Sequence, residues 1–522
     1  MSKQITIEEN KRFSESQIWA GQREYYDQKG VEAWGGDVPF YITSNPFIGD
    51  CYAQLVIRFI QDWIKLHPDA IQHPFYILEL GTGTGQFSFH VMKKLVALRD
   101  AFQMQDIKIQ YIMSDFTENN VNFWKDHPTL QPYREQKLLD YAVYDLEHDE
   151  SIKLYESGIT LTAGVTKNPL IVFANYIFDS IVNDTFVVEN NTLKEALISL
   201  KTPKSNLNNN KPRDWEKVKI EYHENEISNS YYNNKHLDDI LFDYKNLLKD
   251  TNFLFPIGGL RCLQNLTKIS NNKLFIISSD KGYSTLSELE DLDYPELDFH
   301  GSFSVMVNYH AIGNYFKRQQ GDCFYQTPRD GLSSAVFTSG FTIDNLSETK
   351  QALEQSIEGF SPSDFFILYE HIDDTIEDAK LKTLASFLSL SQWDPFVFHN
   401  VHADLVELLN DPDAEMADYL LKNMPKVYDN FYYVPGCDDI YFALGLFYYE
   451  LDHFNEALKY YHLSEKHFEV GFESAFNIGL CHFYLEEYSA SLEYLNKALE
   501  FKPRARQVKE LIKQASRKAT RH

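Results

Sequence analysis

Residues 75–98 read FYILELGTGTGQFSFHVMKKLVAL, which is a short apolar run, a glycine-rich turn and an amphipathic helix. This succession is typical of the first strand, loop and helix of a doubly wound parallel sheet. Glycines at 81, 83 and 85 allow the backbone to pass close to a ligand. The dinucleotide pattern GxGxxG fails at its third glycine, because Gln86 stands there, and the pattern that remains is ExGxGxG from Glu79.

Four later segments predict further strands of the same sheet, and polar residues end them. IKIQYIMSD ends in Asp115, the strand in LLDYAVYDLEHD ends at Asp145, PLIVFANYIFD ends in Asn175 with Asp179 one helical turn later, and KLFIISSD ends in Asp280. A helix in VNYHAIGNYFKRQQ and two short β runs, DCFYQTP and SAVFTS, follow. Since the carboxyl ends of parallel strands meet at one edge, these side chains are expected to share a ligand site.

The glycine loop, the acidic strand ends and the terminal hairpin resemble class I S-adenosylmethionine-dependent methyltransferases. The resemblance implies an α/β fold with a seven-stranded doubly wound sheet that ends in an antiparallel hairpin. It implies S-adenosyl-L-methionine as cofactor, and the residues that would bind it are Glu79, Gly81, Gly83 and Gly85 in the loop, Asp115 against the ribose and Asp145 against the adenine.

Over residues 35–345 the chain is similar to the MidA type of methyltransferase, which includes a complex I assembly factor that acts on a protein arginine. The similarity runs through VPFYITSNPFIGDCYAQL, the glycine loop, ANYIFDSIVNDTF and GSFSVMVNYHAIGNYF. The chain departs from the family twice. Tyr176 replaces a glutamate of the family's NEFFDALP, and SSDKGY, with Asp280, Gly282 and Tyr283, stands where the family reads DYG.

Asn175 and Asp179 are the residues expected to position the methyl acceptor, Asn175 through its amide oxygen and Asp179 as a hydrogen-bond acceptor or weak base. An aspartate one turn into a helix is also a common cap. Tyr41 and Ser44 lie in the segment that resembles the family's YITS element and are expected to close over the donor. An ordinary ST-turn before a helix near Phe47 is the alternative for that segment.

The predicted organisation has four parts. Residues 1–70 form a helical segment that contributes to the donor site, and residues 71–345 form a methyltransferase domain with an insertion at about 186–255. A helical connector at 346–430 leads to a repeat module at 436–522. The polar middle of the insertion, KTPKSNLNNNKPRDW, predicts a mobile loop, either a lid or a surface excursion. Six carboxylates from Glu288 to Asp298 would attract a cationic side chain or form a solvated loop.

An internal repeat near the C-terminus predicts an all-α tetratricopeptide-repeat module. DIYFALGLFYYELDHFNEALKYY and ESAFNIGLCHFYLEEYSASLEYL align with Gly445 over Gly479, which is a period of 34 residues. The segment FKPRARQVKELIKQASRKATRH predicts a basic capping helix. The module either binds a peptide in a groove or only packs against the rest of the chain.

Composition excludes some classes of protein. The chain has 522 residues, 43% of them hydrophobic, and a net charge of −27, which disfavours nucleic acid as a partner. Five cysteines without a CxxC pair predict neither disulfides nor a structural metal site. Neither a signal peptide nor a bilayer-length apolar run is recognisable, so a cytoplasmic protein without a membrane partner is expected. The oligomeric state is left open.

We therefore predict an S-adenosylmethionine-dependent methyltransferase whose substrate is a protein side chain, recruited by the repeats. Arginine as the modified residue follows from the resemblance alone. Two alternatives stay open at this point: a non-catalytic scaffold with a methyltransferase fold that binds partners through its repeats, and a small-molecule methyltransferase.

Overall fold

The computed structural model of the chain describes residues 4–34, 41–209, 211–228, 230–329, 331–375, 379–409 and 414–520. By its internal contacts the chain divides into two compact units, Met1–Ile367 and Leu368–His522. Among the described residues, no helix is both long and apolar enough to cross a lipid bilayer.

The first unit contains the strands, which in chain order are β1 Gln4–Lys11, β2 Phe75–Glu79, β3 Ile109–Asp115, β4 Leu139–Val143, β5 Ile152–Lys153, β6 Thr160–Leu161, β7 Leu170–Asn175, β8 Asp184–Glu189, β9 Thr192–Pro203, β10 Leu207–Asn208, β11 Lys211–Pro212, β12 Lys219–Glu226, β13 Thr251–Phe255, β14 Leu274–Asp280, β15 Gly282–Tyr283, β16 Asp298–His300, β17 Ser302–Ser304, β18 Val307–Asn308, β19 Cys323–Tyr325 and β20 Ser333–Ser339.

Its helices are α1 Gln17–Lys29, α2 Tyr41–Ser44, α3 Pro46–Leu66, α4 Gln86–Ala101, α5 Glu118–Asp126, α6 Gln131–Glu135, α7 Lys235–Leu247, α8 Ile257–Ile269, α9 Tyr309–Arg318 and α10 Ser347–Leu353, with α11 Pro362–Thr375 at the boundary. The helices of the second unit are α12 Leu381–Leu390, α13 Pro395–Leu408, α14 Ala414–Asn423, α15 Pro425–Asn430, α16 Ile440–Glu450, α17 Phe454–His467, α18 Phe472–Tyr484, α19 Tyr488–Phe501 and α20 Arg506–Ala519.

The main sheet has seven strands in the order β19-β20-β14-β7-β2-β3-β4. The five strands from β14 to β4 run parallel, whereas β20 runs antiparallel to both β14 and β19. The predicted strands and the terminal antiparallel hairpin are therefore present. The residues of β2 and of β14 are all buried, because helices cover both faces of the sheet.

Alternate residues of the central strands face the two helical layers. Phe275 of β14 stacks on Phe59 of α3, with ring centroids 4.1 Å apart. Its neighbours Leu274 and Ile276 belong to the core cluster that contains Leu263 of α8 and the buried residues of α9. Two faces covered by helices and a glycine loop at the centre of the carboxyl edge define a doubly wound sheet.

A second, antiparallel sheet corrects the prediction for the insertion. Strands β8, β9, β12 and β13 come from residues 184–255, and β1 from the start of the chain pairs with β9. The Asn-rich stretch is only the short hairpin of β10 and β11. The stretch predicted as a mobile loop thus contains the end of β9 and this hairpin, and its flanks, where apolar and polar residues alternate, form strands that were not predicted from the sequence. The predicted helical segment 1–70 likewise begins with a strand.

In the second unit, consecutive helices form antiparallel pairs. Helix α16 contacts α17, α17 contacts α18, and α18 contacts α19, while α13 and α20 contact the two ends of this series. Each of the two aligned glycines lies against a side chain of the next helix. A Cβ on Gly445 would lie 2.4 Å from the Tyr461 ring, and a Cβ on Gly479 would lie 2.9 Å from Leu495.

Candidate functional site

The glycine loop joins β2 to α4 at the middle of the sheet's carboxyl edge. Its glycines at 81, 83 and 85 have φ values of +56°, +60° and +87°. Other residues rarely adopt this left-handed backbone, so the sequence reserves glycine for these positions. Gly85 directly precedes α4, so the loop ends at the helix N-terminus.

Glu79 fixes the base of this loop. Its side chain is buried and accepts hydrogen bonds from the hydroxyl of Ser88 and, at 2.5 Å, from that of Tyr111. Burial raises the pKa of Glu79 to about 7, against the effect of the two hydroxyl donors. Glu79 thus ties the loop to α4 and β3.

Asp115 lies against the loop at the end of β3. Its Oδ2 accepts hydrogen bonds from the Gly83 N–H at 3.2 Å and from Asn120 Nδ2 at 2.9 Å. Burial raises the pKa of this carboxyl. Trp124 Nε1 donates to the Gly83 carbonyl at 2.9 Å. The structure therefore brings Gly83 and Asp115 together, as expected for residues of one site.

Asp145 is held by helix α1. Arg23 donates to the Asp145 carboxylate at 2.5 Å and to Glu147 at 3.1 Å. Burial alone would raise the pKa of Asp145, but Arg23 and the neighbouring His148 outweigh burial and keep it below its usual range. The predicted adenine position is therefore occupied by a guanidinium group of this chain.

Two aromatic residues, together with Arg23, cover the glycine loop. Tyr26 of α1 stacks on Trp34, with ring centroids 5.9 Å apart. A Cβ on Gly83 would lie 3.0 Å from the Trp34 indole. Sequence reasoning missed Arg23, Tyr26 and Trp34. The available signal was the stretch GQREYYDQKGVEAW, which is rich in aromatic residues and charges, yet only folding shows that it contacts the loop.

A small cavity of about 50 Å³ remains between this cover and the loop. Thr43 and Ser44 line it, together with Asn175, Tyr176 and the loop itself. Of the two residues expected to close over the donor, the structure thus brings Ser44 to the loop, while Tyr41 is not among the lining residues. The segment is the helical turn α2 rather than an ST-turn, and Asn45 caps the following α3 through its bond from the Ile48 N–H at 3.0 Å.

Asn175 ends β7 at this cavity, but its amide is oriented differently from the prediction. Its Oδ1 accepts hydrogen bonds from Tyr52 OH at 2.7 Å and from the Ser279 N–H at 3.1 Å. Because a backbone N–H can only donate, the bonded atom is the oxygen. Nδ2 is buried and has no hydrogen-bond partner among the described residues. The oxygen to which the prediction gave the positioning role therefore already accepts two hydrogen bonds, and the unpaired group of this amide is the donor Nδ2.

Asp179 pairs with Asp280, the residue that ends β14. Both carboxyl groups are buried and share a hydrogen bond, and Asp280 also accepts from the backbone N–H groups of Asp179 at 3.2 Å and Lys281 at 2.8 Å. Burial raises the pKa of Asp179 to about 6 and that of Asp280 well above its usual range, where repulsion from Asp179 adds to burial. No helix follows β7 here, so the alternative of a helix cap is wrong for Asp179.

Tyr176, the residue that departs from the family pattern, lies between the cavity and this pair. Its φ is +51°, a left-handed conformation that is uncommon for residues other than glycine. Its N–H donates to the Ser279 carbonyl at 3.1 Å. Burial raises the pKa of its phenol, and both carboxyls of the pair add to this effect. Strained backbone of this kind concentrates at functional sites.

The acidic loop after β14 is partly structural. Glu288 accepts hydrogen bonds from the backbone of Ser284 and Thr285 at 3.0 and 2.9 Å, and Asp298 pairs with Lys281 at 2.6 Å. Two of its six carboxylates therefore stabilise the chain locally. In the part of the chain that the structure describes, no three His, Cys, Asp or Glu side chains form a group that could hold a metal ion.

Comparison with known proteins identifies one region of the chain. A tetratricopeptide-repeat family model matches residues 472–504, which contain the second copy of the predicted repeat. The repeat prediction is therefore confirmed for this segment. No curated protein sequence matches the chain.

Three solved structures show weak similarity. A Burkholderia thailandensis protein bound to S-adenosyl-homocysteine is 11% identical, with 59% of this chain and 80% of that chain covered and a TM-score of 0.35. Magnesium protoporphyrin IX methyltransferase from Synechocystis, with bound S-adenosylmethionine, is 8% identical over 62% and 96%, with a TM-score of 0.27. Loganic acid methyltransferase with S-adenosyl-homocysteine is 11% identical over 68% and 88%, with a TM-score of 0.26. Similarity at this level assigns neither function nor substrate to this chain.

Proposed function

We propose that the chain is an S-adenosylmethionine-dependent methyltransferase. The observation that carries this proposal is the meeting of the glycine loop, Asp115 and the free amide of Asn175 at one carboxyl edge of a sheet whose last hairpin is antiparallel. An apolar strand, a left-handed glycine loop and a helix N-terminus form a site for an anionic group, and a strand-end carboxylate suits vicinal hydroxyls.

The residues present fit S-adenosylmethionine in part. The loop amides and the start of α4 would hold its carboxylate, Asp115 its ribose, and Asp145 its adenine. The cavity of about 50 Å³ is far below the roughly 300–1,000 Å³ of ordinary ligand pockets, and Arg23 already binds Asp145. Binding therefore requires the side chains of Arg23 and Trp34 to move away from the loop.

When bound, this cofactor would supply a methyl group: the acceptor atom's electron pair would form the new bond to the methyl carbon as the bond to sulfur breaks, and that bond's electron pair would stay on sulfur. The chain's own residues then have two tasks. Asn175 Nδ2 donates a hydrogen bond at the cavity, and the Asp179–Asp280 pair accepts the proton that the methyl acceptor loses. A carboxyl pair that shares one proton suits the second task, because its raised pKa brings proton affinity toward neutral pH.

The acceptor in this proposal is a protein side chain, and the resemblance to the MidA type favours arginine. The matched repeat at 472–504 supports a protein acceptor, since repeats of this kind bind peptides. We further propose that the connector couples the repeats to the core, because its runs FFILYEHI and LASFLSL are too apolar for a free tether.

One observation favours the alternative of a non-catalytic scaffold, namely that Arg23 and Trp34 close the donor site. Transfer of a tritiated methyl group from S-adenosylmethionine into a cell extract distinguishes the enzyme from the non-catalytic scaffold. The enzyme should label macromolecules, and the label should resist nuclease but not protease. Label lost only to nuclease would contradict the protein acceptor, and no label in any fraction would favour the scaffold.

A further inference from the structure

A second cavity, of about 710 Å³, lies against the other face of α1. Gly21, Glu24 and Gln28 line it, whereas Arg23 and Tyr26, which reach the donor site, project from the opposite side of the same helix. The segment around β10 and β11 forms another wall, and β17 borders the cavity as well. The volume is ordinary for a ligand site.

The walls of this cavity are polar and carry both signs of charge. Lys211 on the hairpin pairs with Glu24 of α1 at 2.9 Å, which joins the two walls. Asn208 and Gln28 present side-chain amides, and Arg213 presents a guanidinium group. Amides donate and accept at once, as the main chain of a peptide does.

Strand β17 connects this cavity to the carboxyl pair. Ser302 and Ser304 share one face of the strand, while Phe303 points the other way and packs on Trp19 with ring centroids 5.0 Å apart. The Oγ of Ser302, which lines the cavity, is buried without a hydrogen-bond partner among the described residues, and the N–H of Val305 donates to the Asp179 carbonyl at 3.1 Å. Two residue steps of extended chain, about 7 Å, thus separate Ser302 at the cavity from Ser304, which directly precedes Val305.

Ser304 is the second, independent sign of a ligand on this path. Its side chain is buried, and its Oγ has no hydrogen-bond partner among the described residues. A buried hydroxyl without a partner costs free energy unless a bound group satisfies it. Along the chain, Ser304 lies between Ser302, which lines the cavity, and Val305, which donates to the Asp179 carbonyl.

We propose that this cavity binds the body of the methyl acceptor, an extended peptide, and that the side chain to be methylated reaches the Asp179–Asp280 pair along Ser302 and Ser304. The proposal rests on the proposed function and identifies the acceptor half of that site. A path of about 7 Å, two residue steps of extended chain, requires a nucleophile at the end of an arm as long as a lysine or arginine side chain. A peptide side chain provides such an arm, whereas a compact metabolite does not.

Filling the cavity tests this assignment. Asn208→Trp places an indole at the cavity, and Lys204→Trp is the matched control, since Lys204 is equally exposed on the same segment but does not line the cavity. Initial rates of tritium transfer into extract protein are measured over a series of extract concentrations. Binding of S-adenosyl-homocysteine to each variant is measured by calorimetry.

We expect Asn208→Trp to raise the extract concentration needed for half-maximal transfer at least tenfold, with a donor Kd within twofold of the wild type. Lys204→Trp should match the wild type in both measurements, and Ser304→Val should reproduce the loss of transfer. If Asn208→Trp binds the donor and transfers methyl groups as the wild type does, the assignment of the cavity to the acceptor is wrong. That result would leave the proposed function intact. Label found only in acid-soluble small molecules would contradict the proposal that the methyl acceptor is a peptide. A wild-type chain that does not bind the donor would contradict the proposed function itself.

Discussion

At the scale of single residues, the Asp179–Asp280 pair makes the stability of the fold depend on pH. Both carboxyls have raised pKa values in the folded state, so the folded chain retains a proton that the unfolded chain loses above about pH 4. The folded state is therefore destabilised as pH rises through the folded pKa of Asp179, about 6, and beyond.

Asp280→Asn removes this ionisable partner and keeps the side-chain oxygen that accepts from Asp179 N–H. We expect the variant to be more stable than the wild type at pH 8, by about 1–3 kcal/mol, with the difference vanishing near pH 4. Urea denaturation at the two pH values measures the effect. Asp106→Asn, at an exposed aspartate in the loop between α4 and β3, is the control, and a stability gain that is equal at both pH values would contradict a shared proton.

Residue types were predictable here, but their pairings were not. Glu79, Asp115 and Asn175 could be placed at the carboxyl edge because each ends a strand that is recognisable from local sequence. The bond between Asp179 and Asp280 joins residues 101 positions apart, and its existence depends on the register of β7 and β14. The orientation of the Asn175 amide depends in the same way on Tyr52 and Ser279, which no local pattern connects.

At the scale of elements, helix α1 closes the proposed donor site through the bond between Arg23 and Asp145. Arg23→Gln should weaken this closure and tighten the binding of S-adenosyl-homocysteine about threefold to tenfold, because less free energy is then spent on opening the site. Calorimetry measures the change. Lys29→Gln, in the last turn of the same helix, should bind as the wild type does, and an unchanged or weaker affinity in Arg23→Gln would show that α1 does not compete with the ligand.

The repeat glycines support a second prediction at this scale. Gly445→Val would place a branched side chain 2.4 Å from the Tyr461 ring, and such overpacking costs about 1–3 kcal/mol. We expect a lower thermal midpoint for the second unit. Gly471→Ala serves as control, because the nearest atom to its added Cβ is 3.7 Å away. Equal midpoints in both variants would contradict close packing of α16 on α17.

The elements that could be predicted from the sequence are those whose pattern lies within one segment of the chain. The glycine loop, the parallel strands and the 34-residue repeat each carry their signal within one segment. The second sheet does not, since β1 pairs with β9 nearly 200 positions later in the chain. The pairing of distant strands cannot be inferred from the composition of the loop between them.

At the scale of the whole molecule, the proposed coupling between connector and core predicts the effect of cutting the chain near Pro435. Donor binding should persist, methylation of extract protein should fall, and the truncated core should lose solubility, because apolar surface of the connector is exposed. Limited proteolysis that releases two soluble halves, together with a core that methylates at the full rate, would contradict this coupling.

The central claim is that the glycine loop binds S-adenosylmethionine, and calorimetric titration with S-adenosyl-homocysteine tests it most directly. The wild type should bind, and Gly83→Arg should not, because the added side chain would fill the loop beside Asp115. Gly158→Arg is the matched control, since Gly158 also has a positive φ, +70°, but no atom within 4 Å of an added Cβ, and it should bind as the wild type does. Binding of NAD in place of S-adenosyl-homocysteine, or equal binding by Gly83→Arg and the wild type, would contradict the claim.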